Sequence, residues 1–246
     1  MTFKTKGIVL KSVKYGETSL IATILTELFG MQTYMVNGAR NVKKGSTKAL
    51  MLQPGSILEL EVYHNELKNL QRIKEMQWGY IYETLMSDIM KNSIASYFIE
   101  LILKTIKQPE KNEALYNFSE DVLMQLDVAD NTVAVNMPLF ISLQLPSFFG
   151  FKIEDPPVDH TSCTSIFLDL STGRFSKEDP GHIHTISGQA AAITMELLKA
   201  MQPIDLTEIK LNKQIRRELL HNYLKYYTLH FPDFGEMKTL KVFEAM

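Results

Sequence analysis

The segment Gly38-Ala39-Arg40-Asn41-Val42-Lys43-Lys44-Gly45-Ser46-Thr47-Lys48 sets four cations in a glycine-punctuated stretch. Exposed backbone amides and long cationic side chains are the groups that follow a phosphate backbone. Lys4, Lys6, Lys11 and Lys14 precede this stretch and extend the same chemistry. Tyr15, Phe29, Tyr34 and Tyr63 are candidate platforms for unpaired bases, with the barrel core as the competing location for each ring. A second cationic group, Lys210, Lys213, Arg216 and Arg217, sits near the C-terminus and offers a basic patch that extends a DNA path or meets an acidic peptide tail, against the plain reading as the wet face of an amphipathic helix.

Two other constellations compete with polyanion binding. His160-x-x-Cys163 and His182-x-His184 bracket a short hairpin signal, the way zinc ribbons place ligands, and would support a His/Cys zinc-dependent hydrolase. The set lacks paired Cys-x-x-Cys ligands, so no metal or other cofactor is expected. Nucleotide-binding and nucleophile motifs are absent: there is no Gly-x-x-x-x-Gly-Lys, no Gly-x-Ser-x-Gly and no His-Glu-x-x-His. The chain reads as a binding protein, not an enzyme.

The cations belong to particular parts of the chain. Residues 1–78 carry eleven Lys/Arg against six Asp/Glu, residues 79–209 eight against eighteen, and residues 210–246 seven against four. The basic start faces a polyanion, and the acidic middle reads as solvated helix faces that dock other proteins. One cysteine among 246 residues excludes an internal disulfide and fits a reducing, cytoplasmic setting. No apolar run reaches the roughly 18–20 residues of a membrane span.

The elements that position these groups change character at residue 78. Gly7–Lys11, Ser19–Thr26, Met31–Asn37, Ser56–Tyr63 and Leu67–Glu75 read as strands, the fourth alternating Leu58, Leu60, Val62 against Glu59, Glu61, Tyr63. Five short strands with one longer connection predict a small closed barrel, an OB-fold or an SH3-like barrel. From residue 79 the spacing is helical, with Ile81, Leu85 and Ile89 at four-residue steps. Val133–Phe151 predicts a central buried helix that Pro138 and Pro146 must start, kink or end, and Thr207–His230 a long amphipathic helix with Thr207 as N-cap. Ile166–Leu170 and Arg174–Ser176 predict a hairpin inside an irregular segment.

The ordered set Gly7-Ile8-Val9-Leu10, Tyr15-Gly16-Glu17, Leu25-Thr26-Glu27-x-x-Gly30, Gly38-Ala39-Arg40 and Leu52-Gln53-Pro54 resembles the N-terminal signature of the bacterial recombination mediator family RecO. Tyr97-Phe98-Ile99-Glu100-Leu101, Leu115-Tyr116-Asn117-Phe118 and Met237-Lys238-Thr239-Leu240 are similar to that family's helical part. The resemblance implies an α+β, two-domain chain: an N-terminal five-stranded OB-fold barrel over 1–78, then a mainly α-helical domain over 79–246. A small degenerate zinc-ribbon-like β-hairpin insertion is implied at about 154–186, with Cys163 alone of the four usual cysteines and the hairpin held by Phe167, Leu168 and Phe175.

The resemblance also implies single- and double-stranded DNA as ligands and annealing of complementary strands in DNA repair. It implies partnership with RecR and with the C-terminal tail of single-stranded-DNA-binding protein, and help in loading RecA recombinase. Tyr15, Thr26, Arg40, Lys43, Lys44 and Lys48 are the positions it assigns to DNA. An RNA-binding barrel protein of another pathway is the alternative the residues leave open.

Overall fold

The computed structural model describes residues 1–40, 47–108, 110–154 and 166–240. Contacts divide the chain into two compact units, Met1–Asp127 and Val128–Met246.

The first unit is built on five strands: β1 (Thr2–Tyr15), β2 (Ser19–Thr26), β3 (Gly30–Val36), β4 (Ile57–Tyr63) and β5 (Gln71–Trp78). They close into a barrel in the order β1-β2-β3-β5-β4, and a short helix, α1 (Lys48–Met51), lies between β3 and β4. That order and that helix position are the OB-fold, and the SH3-like alternative falls away.

Closure depends on β1, which is far longer than its apolar run predicts. Its second half pairs with β2 and its first half with β4, and Gly7 pairs with both Thr26 and Leu58. A Cβ at Gly7 would lie 2.7 Å from Ile24 Cγ2 and 2.9 Å from Leu60 Cδ1, so only glycine lets the two sheets meet there. The last edge is sealed by a parallel pairing of Tyr34 and Met35 in β3 with Gln71 and Arg72 in β5. Val9, Ile24, Leu58, Leu60 and Val62 fill the interior, as the alternation in β4 predicts.

Two helices complete this unit: α2 (Ile89–Thr105) and α3 (Glu113–Val128). Residue 78, where the sequence changes period, ends β5, while the compact unit continues through Asp127. The helical spacing expected from Ile81 does not form a helix there; α2 starts at Ile89, capped by Asp88, whose side chain accepts from the Lys91 amide at 3.0 Å. The preceding segment is held in irregular form by Asp127. Its Oδ1 accepts from the Thr84 and Leu85 amides at 2.8 and 2.7 Å, and its Oδ2 from the Glu83 amide at 2.9 Å. A charged acceptor satisfying three amides outcompetes helical spacing.

In the second unit the apolar run expected as one helix is broken in three: α4 (Asn131–Ala134), α5 (Met137–Gln144) and a 3-10 turn over Leu145–Phe149. Pro138 starts α5 and Pro146 converts its end to 3-10 geometry. The hairpin is present as β6 (Phe167–Asp169) and β7 (Arg174–Ser176), but β6 also pairs with a third strand, β8 (Thr185–Ser187), which the sequence did not signal. Then come α6 (Gly188–Lys199), a 3-10 turn over Pro203–Glu208, and α7 (Lys213–His230). The long helix begins at Lys213 with Asn212 as cap, not at Thr207, because Pro203 to Glu208 takes 3-10 geometry first. Tyr223 and Tyr227 of α7 are buried, bonding Thr194 at 2.8 Å and the Ser142 carbonyl at 3.1 Å. Among the described residues no helix is long and apolar enough to cross a membrane.

Candidate nucleic-acid interface

The barrel sorts its cations into two kinds. Lys4 and Lys6, on the first half of β1, lie opposite Glu61 and Glu59 of β4. Lys6 also pairs with Glu120 of α3 at 3.2 Å. The groove beside them is lined by Glu27, Glu59, Glu61 and Glu75 as well as by the two lysines, so a polyanion meets as much repulsion as attraction there.

Lys11 and Lys14 differ. They lie on the second half of β1, beyond the bulge between Val9 and Lys11, opposite Thr23 and Leu20. Both are exposed, and neither forms an ion pair among the described residues. Arg40 is brought to the same end of the barrel. Its amide donates to the Thr18 carbonyl at 2.9 Å and its Nη1 to the Gly16 carbonyl at 3.4 Å, beside the turn that follows Tyr15. Tyr15 is 52% exposed at that turn. Residues 24 apart in sequence thus form one cationic end with an open ring. Lys48 is exposed at the start of α1, and Lys43 and Lys44 lie outside the described residues.

Tyr34 and Thr26 are consumed by burial, and Phe29 by packing on a neighbouring ring. Tyr34 is fully buried in the barrel, and desolvation drives its hydroxyl far above the ordinary phenol range. Phe29 is partly buried and stacks on His64 with centroids 3.9 Å apart. Thr26 is fully buried and serves its turn: its Oγ1 donates to the Gly30 carbonyl at 2.8 Å and accepts from the Phe29 amide at 3.1 Å. A hydroxyl committed twice within a turn has no reach to a ligand.

Tyr63 remains open, 48% exposed at the end of β4. It lines a groove with Met35, Lys68 and Arg72, in which no carboxylate side chain takes part. Lys68 and Arg72 carry no ion pair among the described residues. The signal for this groove was the alternation in β4, which points Tyr63 outward.

In the second unit Lys210, Lys213 and Arg217 are exposed at the start of α7. Arg216 is only partly exposed: its Nη1 donates to the Leu211 carbonyl, and burial lowers its guanidinium below the usual arginine range. It anchors the helix start more than it presents charge.

Two of the four candidate zinc ligands, His182 and His184, lie beside the small sheet among the described residues. His160 and Cys163 lie outside the described residues. His182 Nε2 faces Asp169 Oδ1 at 3.3 Å, and its Nδ1 accepts from the His184 amide at 3.3 Å, so both ring nitrogens are already engaged. Asp169 also accepts from the Ser171 amide at 2.8 Å and from Thr172 Oγ1 at 2.9 Å. Burial raises the Asp169 carboxyl, yet the Ser171 and Thr172 bonds and the nearby His182 bring it below the usual range. Among the described residues no three His, Cys, Asp or Glu side chains gather as a metal site.

The chain matches two family profiles that cover nearly its whole length. They are described as recombination protein O N terminal, over residues 1–82, and recombination protein O C terminal, over residues 86–238. It is similar to proteins named DNA repair protein RecO. That of Christiangramia forsetii is 31% identical over 98% of each chain. That of Flavobacterium psychrophilum is 30% identical over 100% of this chain and 99% of its own. That of Azobacteroides pseudotrichonymphae is 26% identical with the same coverage.

Proposed function

This chain belongs to the recombination protein O family, and we propose that it is a DNA-binding recombination mediator in DNA repair, with no catalytic site of its own. The observation that carries the reading is the cationic end of the barrel, where Lys14, the exposed Tyr15 and Arg40 flank the β1–β2 turn and Lys11 lies farther along the same strand. Unpaired lysines there neutralise phosphates and release counterions, while an open ring accepts a base. Neutralisation lowers the repulsion between two complementary strands, which favours annealing.

The finer activities follow the family. The protein anneals complementary single strands, binds single- and double-stranded DNA, and helps load RecA onto strands coated by single-stranded-DNA-binding protein. RecR and the acidic tail of that coat protein are its partners, the second unit offering Lys210, Lys213 and Arg217 to an acidic peptide. The small sheet is metal-free, its turn held by Asp169, Ser171, Thr172 and His182; elemental analysis of the purified protein should find no stoichiometric zinc.

The test is a strand-annealing and binding assay of wild type against Lys11→Ala/Lys14→Ala/Arg40→Ala. Affinity for DNA should fall steeply between about 50 and 200 mM salt, and the triple variant should lower the slope by two to three contacts' worth, roughly 0.7 per phosphate on single strands. Unchanged annealing and an unchanged slope would remove the barrel end as the DNA site.

A further inference from the structure

Resting on the DNA-binding reading above, we propose that the groove of Met35, Tyr63, Lys68 and Arg72 is a base-reading subsite that takes an unpaired strand. Bases lie on Tyr63 and Met35, and phosphates meet Lys68 and Arg72.

The register places these side chains together. Tyr63 of β4 pairs with Arg72 of β5, and Arg72 with Met35 of β3. Directly paired residues project to the same face of a sheet. Their neighbours Val62 and Tyr34 are buried inside the barrel, so this face is the outer one. The row continues from Met35 to Ile21 of β2 and Val13 of β1. One line of outward side chains therefore crosses all five strands, apolar or aromatic except for Arg72, and ends beside Lys11, Lys14 and Tyr15.

Scattered exposed apolar residues need no explanation, but a continuous outward row does. Farther along the same outer surface, β1, β4 and β5 carry Lys4, Lys6, Glu59, Glu61 and Glu75, the ordinary mixed-charge surface. The groove at Tyr63 has the opposite character: two cations with no ion pair among the described residues, an open ring, the thioethers of Met1 and Met35, and no lining carboxylate. Glu66, on the loop between β4 and β5, is not among its lining residues. That combination is complementary to a polyanion with flat apolar faces, which describes a single strand. A duplex hides its bases and gains nothing from Tyr63 or Met35.

Fluorescently labelled oligothymidylate of about 16 nucleotides, the upper site size of one OB barrel, and a duplex of equal length are titrated with full-length protein. Tyr63→Ala should weaken the single strand about tenfold, one stacked base, with duplex affinity and salt slope unchanged. Tyr63→Phe should restore binding. Arg72→Ala should lower the single-strand salt slope by roughly 0.7, and Val13→Glu, at an exposed position, should weaken the single strand without altering the melting temperature. Equal losses on duplex and single strand, or no loss with Tyr63→Ala, would overturn the subsite. If Lys11→Ala/Lys14→Ala/Arg40→Ala still weakens binding in that case, the DNA reading stands and only the groove falls. If neither set changes DNA affinity, both fail.

Discussion

Asp127 is the side chain that holds the segment between β5 and α2. Burial alone would raise its carboxyl, but the amides of Glu83, Thr84 and Leu85 and the Tyr80 hydroxyl more than offset this and hold it below the usual carboxylate range. Its backbone carbonyl also takes the Lys91 ammonium at 2.6 Å and the Thr84 hydroxyl at 2.5 Å. A carboxyl depressed in the folded state stabilises above its unfolded value near 3.9 and loses that contribution as pH falls through the folded value. Acid unfolding of the Asp127→Asn variant should therefore show a weaker pH dependence below about pH 4 than wild type. Asp127→Ala leaves three amides unsatisfied and should cost about 3 kcal/mol or more, read by urea titration at pH 7. None of this was visible in sequence, where Asp127 is one acid among eighteen between residues 79 and 209. Thr26 and Tyr34 teach the same lesson in reverse: their types suit DNA contact, and only the strand register shows that the barrel consumes them.

At the scale of elements, what the chain announces is what periodicity alone decides. The fourth strand and its outward set Glu59, Glu61, Tyr63 follow from alternation; the other four show only as β-rich runs between turns, and the fifth, expected at Leu67–Glu75, lies at Gln71–Trp78. Boundaries were lost where a polar side chain set the backbone instead: Asn212 against Thr207 at α7, and Asp127 against the apparent helix from Ile81. β8 was lost because three residues carry too little pattern to register. Turns give the sharpest test at this scale. Gly30, between β2 and β3, has φ +63°, and a Cβ there would sit 2.0 Å from the Glu110 carbonyl oxygen. Gly30→Ala adds left-handed strain of about 1–2 kcal/mol and forces the segment before α3 away from the barrel. We expect a thermal midpoint lowered by several degrees, with far-ultraviolet circular dichroism retained at low temperature.

For the whole molecule, the blocks of charge seen along the chain are regrouped by folding. The basic first 78 residues share a compact unit with α2 and α3, so that Met1–Asp127 carries fifteen Lys/Arg against fourteen Asp/Glu. On the proposed reading the unit meets a polyanion by distribution, not by net charge: Glu120 takes Lys6, Glu61 of β4 faces Lys4, and Lys11, Lys14, Lys68 and Arg72 carry no ion pair among the described residues. The helices are also structural parts of the barrel. Tyr82 donates to the Gly55 carbonyl at 2.7 Å, a Cβ at Gly55 would meet Ile99 and Met86 at 3.6 Å, and the segment at Glu110 closes over Gly30. Removing residues 79–127 would uncover those barrel ends and delete the partners of Lys6 and Gly55. A fragment ending at Asp127 should therefore melt cooperatively and keep the salt-dependent single-strand affinity of the full chain within about threefold. A fragment ending at Trp78 should fail to melt cooperatively. Circular dichroism melts and the oligothymidylate titration on both fragments decide it. Cooperative melting of the shorter fragment with undiminished DNA affinity would make the helices accessory and put the working unit at the barrel alone.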